Sequence, residues 1–193
     1  MLFVERKESS VAEDSRALMV PDYDYTLLFP RAARSAVIDA LRALCTENSD
    51  VALTNLDQPG PVEVAVSFRS RPDMPADVVD EFPRLSDGGH GLGNVYFSVR
   101  PSAWSEFPHA VEFRLWPCTR RLQRAIIGSA ELRGELVQVL EWCGGHAGYV
   151  VNESCDPVEF WHELSGRSND GHPPEYIEQR HAEPGAPPDR GGA

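Results

Sequence analysis

Four thiol and imidazole side chains near the end of the chain have the chemistry of metal ligands. Cys143 and His146 are separated by two residues, and Cys155 and His162 by six. Thiolate and imidazole are common zinc ligands, but this spacing does not match a familiar zinc module. Cys143 also falls on the apolar stripe of a predicted helix, where a buried cysteine acts as a small hydrophobe. We therefore predict no metal and no cofactor, with these four residues as the candidate ligand set.

A glycine-rich segment, 88–93, surrounds His90 and could cradle an anion with its backbone amides. A nucleotide-binding loop needs a strand before the glycines and a helix after them. Here a proline-interrupted segment precedes and a predicted strand follows, so we interpret 88–93 as a connection. No Gly-x-Ser-x-Gly, Ser-x-x-Lys or His-Glu-x-x-His motif is present. We predict no catalytic set, and His90 is the one candidate acid or base.

Carboxylates supply the remaining chemistry. Asp22 and Asp24 are two residues apart in a predicted strand, so both side chains lie on the same face, which we interpret as solvated. A larger acidic set lies in residues 129–164, which carry seven acidic residues and one arginine and so hold half of the net charge of −12. From this segment we predict an acidic docking face for a basic protein partner. The partner-binding candidates are Glu131, Glu135, Glu141, Trp142, Glu159 and Glu163.

Net charge excludes some classes of partner. The 193 residues contain 18 Lys and Arg against 30 Asp and Glu. An acidic chain repels phosphate backbones and anionic membranes, so we expect no nucleic acid and no membrane as partner. No apolar run approaches the length of a membrane helix, and the opening run of residues 1–4 is shorter than a signal-peptide core. We expect a cytoplasmic protein.

Periodicity predicts the elements that position these residues. Alternation of apolar and polar residues predicts strands at 23–29, 62–69, 94–100, 110–116 and 148–152, and 50–56 is a candidate short strand. Helical spacing predicts helices at 31–46 and 129–143, the second capped by Ser129 and stopped by Gly144 and Gly145. Asp156 followed by Pro157 predicts a short final helix to residue 164. The fold class is α+β.

The expected architecture is a mainly antiparallel sheet of five to six strands with two main helices on one face. The element order also suggests two pseudo-symmetric halves. We predict a loose N-terminal arm at 1–20, a single domain at 21–164 and a disordered tail at 165–193, where proline and glycine are frequent and aliphatic residues few.

The segment 113–119, followed by the helix from Ser129 to Gly144, resembles small α+β proteins of high-GC bacteria, some of which are similar to immunity proteins of polymorphic toxin systems. The resemblance implies an immunity-like inhibitor of a basic protein partner, acting through the 129–164 face. The alternative from the residues is a small enzyme or ligand-binding domain whose pocket lies near the 71–92 loop. Between these, the sequence favours the protein-binding module over an enzyme.

Overall fold

One antiparallel sheet organises the fold, and the computed structural model describes residues 23–152, 155–164 and 166–167. In these ranges the strands are β1 (Tyr23–Pro30), β2 (Val62–Arg69), β3 (Gly91–Pro101), β4 (Ala110–Pro117), β5 (Ala147–Asn152), β6 (Cys155–His162) and β7 (Gly166–Arg167). The helices there are α1 (Arg34–Arg42), α2 (Asp50–Asn55), α3 (Ala76–Val79), α4 (Arg120–Gly128) and α5 (Ala130–Trp142). The α+β class is confirmed, with seven strands rather than five to six.

The strand order is β2-β3-β4-β1-β5-β6-β7. β1 is therefore the central strand, and a three-stranded wing lies on each side of it. In the chain, each wing follows a pair of helices, α1 and α2 before the first and α4 and α5 before the second. The two wings share β1, and the pseudo-symmetric halves stay a prediction. The segments predicted as arm and tail lie outside the described residues, except that Gly166–Arg167 form β7.

The main core lies between one face of the sheet and the helices. Tyr23, Tyr25, Leu27 and Phe29 project from β1 into it, and all four are buried. Buried residues of α1, α2, α4 and α5 belong to the same cluster, so these helices cover this one face. The Tyr25 hydroxyl donates to the carbonyl of Ile127 at 3.2 Å, which ties β1 to the end of α4.

The opposite face of β1 is buried as well, which corrects the interpretation of Asp24 as part of a solvated face. Leu28 and Tyr149 belong to a second apolar cluster there, and the loop between β3 and β4 packs on it. Trp104 of that loop stacks on Tyr149 with ring centroids 4.3 Å apart. Asp24 is buried on this side of β1. Asp22 lies outside the described residues.

Two element predictions are wrong. Residues 50–55 form α2 rather than a strand, because a helix there brings Leu53 and Leu56 together in the core. Residues 156–162 form β6 rather than a helix, because pairing with β5 buries Phe160 and Trp161. Proline has no N–H for a neighbouring strand, so within a sheet it needs an unpaired edge. Pro157 meets this condition, because β7 pairs with the last two residues of β6, Trp161 and His162.

The limits of α5 are those predicted. The Ser129 hydroxyl accepts the backbone N–H of Leu132 at 3.0 Å and donates to Asp73 at 2.7 Å. Gly144 has φ of 64°, a left-handed conformation that glycine adopts without strain. The long helix is therefore fixed at both ends by the residues that the sequence marks.

Candidate functional site

Four of the predicted partner-binding residues lie on the outer surface of α5. Glu131, Glu135, Glu141 and Trp142 recur at helical spacing, and we call this surface the α5 stripe. The Trp142 side chain is 76% exposed, whereas Trp161 is buried. Glu131 and Glu141 are exposed, and Glu135 is half-buried. The stripe thus combines carboxylates with one large exposed aromatic side chain.

An intramolecular ion pair crosses the middle of the stripe. Glu135 accepts from Nε of Arg71 at 2.7 Å and lies 2.5 Å from its Nη2. The Arg71 side chain is 8% exposed and also donates to the carbonyl of Arg69. The Glu135 charge is therefore partly compensated within the chain. Asp73 adds a negative charge at the start of the helix, where its carboxylate accepts the backbone N–H of Glu131 at 3.1 Å.

Gly134 is half-buried beside the α5 stripe, at a position where the fold does not require glycine. A Cβ at this position would meet no atom within 4 Å. Glycine in a helix interior is less favourable than alanine by about 1 kcal/mol. The space that a side chain at this position would occupy is therefore open.

The other two acidic candidates lie elsewhere. Glu159 pairs across the strands with Tyr149, on the sheet face that α5 does not cover. Burial, together with the Glu159 charge, raises the pKa of Tyr149 to about 12. The Glu163 carboxylate lies 3.0 Å from Nδ1 of His146. The structure therefore separates Glu159 and Glu163 from the α5 stripe, because the segment that carries Glu159 is a strand.

The candidate metal ligands do not form a described cluster. His146 stacks on Phe107 with centroids 5.4 Å apart, and Nδ1 of His162 accepts the backbone N–H of Leu164 at 3.1 Å. Cys143 is half-buried against the core, and burial raises the pKa of its thiol. Within the described residues, no group of three His, Cys, Asp or Glu side chains is arranged to hold a metal ion. The side chain of Cys155 lies outside the described part.

The structure ties His90 into a connection between elements. Its Nδ1 lies 2.5 Å from the carbonyl of Val79 at the end of α3, and Nε2 lies 4.0 Å from the Asp80 carboxylate. Its backbone N–H donates to the Ser70 hydroxyl at 3.0 Å. The imidazole is buried. These contacts hold the 71–90 segment against β2, so His90 has a clear structural role.

A cavity of about 260 Å³ lies beside this segment. Arg69 spans its wall, paired with Asp87 and donating to the carbonyl of Cys45 at 3.2 Å. The Gly89 backbone N–H and the Arg69 charge hold the pKa of the exposed Asp87 carboxyl below its usual value. The remaining lining residues are Thr46, Glu47, Asn48, Leu85 and Ser86.

A buried charge network on the sheet face opposite the helices was missed by sequence reasoning. Arg114 pairs with Asp24 on the neighbouring strand, and Arg100 donates to Oε1 of Glu112 at 2.6 Å. Glu112 is 1% exposed, and its Oε2 has no hydrogen-bond partner among the described residues. Burial raises the pKa of Asp24, and Arg114 partly offsets that effect. The only signal was the polar residues alternating along β1 and β4, which are also typical of a solvated face.

The two arginines of this network line a shallow groove of about 360 Å³. Trp116 forms one side, stacked on Tyr96 at 5.7 Å and lying 5.9 Å from the Arg114 guanidinium carbon. Arg121 pairs with Glu81.

Comparisons of the chain with protein families, with curated proteins and with solved structures found no match. The resemblance to immunity proteins therefore stays a prediction. Among the described helices, none has the length and apolar character needed to cross a membrane.

Proposed function

We propose that this chain is a protein-binding module that docks a basic protein partner on the α5 stripe. The observation that carries the proposal is the exposed Trp142 side chain beside Glu141. Tryptophan is enriched among the few residues that dominate binding energy at interfaces. In the rest of the described chain, the large hydrophobic side chains that are similarly exposed are aliphatic, Val51 and Leu164.

Charge supports a basic partner. The chain has a net charge of −12, and the stripe adds local carboxylates at both ends of α5. Complementary charge raises association rates and fixes orientation more than it adds affinity. Because Gly134 has no side chain, the backbone of a partner can approach α5 closely between Glu131 and Glu141. The resemblance adds a specific form of the proposal, in which docking inhibits the partner.

Comparative affinity capture from the native host tests the proposal. The wild-type chain is the bait, next to Trp142→Ala and a Glu131→Lys/Glu141→Lys double variant. Asp57→Lys is the matched control, because Asp57 is an exposed carboxylate away from α5. Glu135 is left intact, because its substitution would leave the buried Arg71 guanidinium without its carboxylate partner.

We expect a basic protein that wild type and the control retain and that both stripe variants lose. Moderate salt should release it, since screening weakens exposed charge pairs. A captured protein that all four baits retain equally would contradict docking on the stripe. Purified partner would then be assayed with and without the chain, to test inhibition separately from binding.

A second proposal, ligand binding or catalysis at the cavity beside residues 71–92, is favoured by the cavity itself. Its polar lining and the Arg69–Asp87 pair suit a small polar ligand. A thermal-shift screen of small polar metabolites tests it, with Arg69→Met as the variant. A stabilising compound whose effect the variant loses would support the site, and His90→Ala would then test the candidate acid or base. A stabilising effect that Arg69→Met retains would contradict it.

A further inference from the structure

The outer edge of β2 is covered over only half of its length. The backbone N–H of Thr46 donates to the carbonyl of Ser67 at 2.8 Å, and that of Arg69 donates to the carbonyl of Leu44 at 3.1 Å. These bonds cover the second half of the strand. Among the described residues, none forms a backbone hydrogen bond to the outer edge of residues 62–66. Such an edge is a template for another strand.

The direction of the free backbone groups follows from Ser67. Its N–H and its carbonyl both point outward, to the Ser49 hydroxyl and to Thr46. The register of β2 with β3 shifts between Val66 and Phe68, where two residues along β2 match three along β3, so the additional residue is on β3. Backbone direction therefore alternates along β2 without interruption, and Glu63 and Ala65 also direct their N–H and carbonyl groups outward. By the same alternation, Val62, Val64 and Val66 direct theirs toward β3.

We infer that a second copy of this chain pairs with this edge in antiparallel orientation, about a two-fold axis at Val64. The turn before β2 ends at Pro61, and the 44–46 segment begins to cover the edge at Ser67. The free stretch 62–66 is centred on Val64, so a two-fold axis at Val64 lets the two copies pair along the whole of this stretch. Glu63 of one copy then faces Ala65 of the other, and each of these pairs exchanges two backbone hydrogen bonds.

The side chains of the stretch are complementary to themselves. Val62 faces Val66 of the second copy and Val64 faces Val64, which makes an apolar row on the helix side of the sheet. Val62 and Val64 are half-buried and already pack against the main core. On the other side Glu63 lies opposite Ala65, so no like charges meet. The stretch has no lysine or proline, which natural edges use to block pairing.

The paired stretch 62–66 lies at the start of β2, whereas Arg71 and Asp73, which contact α5, follow the end of that strand. The dimer is therefore one continuous sheet of the two chains with two accessible α5 stripes. The inference stands on β2 alone and does not depend on the proposed function.

Sedimentation velocity of the full chain over a wide range of concentrations tests the dimer. The variants are Val64→Lys and Val64→Glu, each of which places two like charges against each other at the axis. We expect each variant alone to raise the dissociation constant more than about tenfold. An equimolar mixture of the two should restore the dimer, because lysine then faces glutamate. Leu164→Lys, at an exposed position on the other wing, is the control and should dimerise like wild type.

Circular dichroism checks whether each variant is folded. If substitution of Val64 unfolds the chain, Ala65→Pro replaces it, since proline removes an outward N–H and leaves the β2–β3 hydrogen bonds intact. A wild type that is monomeric at every concentration overturns the inference, as does a dimer that Val64→Lys or Ala65→Pro leaves unchanged. A charge-swapped mixture of folded variants that remains monomeric overturns the axis at Val64.

Discussion

Gly148 provides a direct test of how the second wing packs on α5. A Cβ at this position would lie 2.7 Å from Cζ of Phe160 and 2.8 Å from Cδ1 of Leu140. Carbon atoms in a packed core are normally about 3.5–4.0 Å apart. Gly148→Ala therefore forces the Phe160 ring on β6 and the Leu140 side chain on α5 to move by nearly 1 Å.

Both neighbours are buried, so neither can move out into solvent. An additional carbon in a well-packed core costs about 1–3 kcal/mol. Replacing glycine also restricts the unfolded chain, and this effect offsets about 0.4–1 kcal/mol of that cost. We expect Gly148→Ala to lower the free energy of unfolding by about 1–2 kcal/mol, which lowers Tm by about 2–8 °C.

Urea unfolding followed by circular dichroism measures this difference by linear extrapolation. Gly134→Ala is the matched control, because its Cβ meets nothing and its helical position favours alanine. That variant should gain about 1 kcal/mol. The same chemical change, glycine to alanine, is thus expected to lower the free energy of unfolding at position 148 and to raise it at position 134.

A Gly148→Ala chain as stable as wild type would refute the packing of Phe160 against Gly148. It would also refute the register of β5 with β6, from which that packing follows. Adding Phe160→Leu to Gly148→Ala should recover part of the loss, because the smaller side chain leaves space for the new carbon. No recovery would identify Leu140 as the main obstacle.

Three further predictions follow from the buried and exposed side chains. Arg114→Met should destabilise the fold by about 3 kcal/mol at neutral pH, because it leaves the buried Asp24 charge without its guanidinium. The pKa of Asp24, already raised, then rises further above 3.8, so urea titrations should show the variant regaining stability as pH falls through that pKa toward 3.8. A chromogenic disulfide reagent at mildly alkaline pH should label the exposed Cys118 rapidly and Cys45 only after unfolding, since burial raises the pKa of Cys45 to about 12. Trp142→Phe should remove the largest share of the tryptophan fluorescence that the neutral quencher acrylamide reaches, and an unchanged quenching curve would contradict the exposure of Trp142.

Local pattern was sufficient to predict α5 and the strands of the first wing. The cap at Ser129 and the stop at Gly144 involve neighbours within a few residues, so the sequence displays them directly. The alternation along β2 likewise reports one face against a nearby helix. The pairing of β3 with β4 follows from the short connection between them.

Long-range pairing explains the errors. Asp24 looks solvated beside its sequence neighbours, but its partner Arg114 is ninety residues away on β4. Residues 156–162 carry a good local start for a helix, and only the presence of β5 makes a strand more favourable. The same reason explains the partner-binding candidates: four of the six come from the one periodic segment that forms α5, whereas Glu159 and Glu163 were added through a helix that does not form.

The central position of β1 has a consequence for synthesis of the chain. Tyr25 pairs with Leu115 on one side and with Val150 on the other. At about 5–20 residues per second, β5 leaves the ribosome about 2–7 s after β4. In that interval the nascent chain can complete β2-β3-β4-β1 but leaves the second edge of its most buried strand without β5. On a crowded polysome, neighbouring nascent chains have this same unpaired edge of β1. Pairing between chains therefore competes with folding most strongly at that stage.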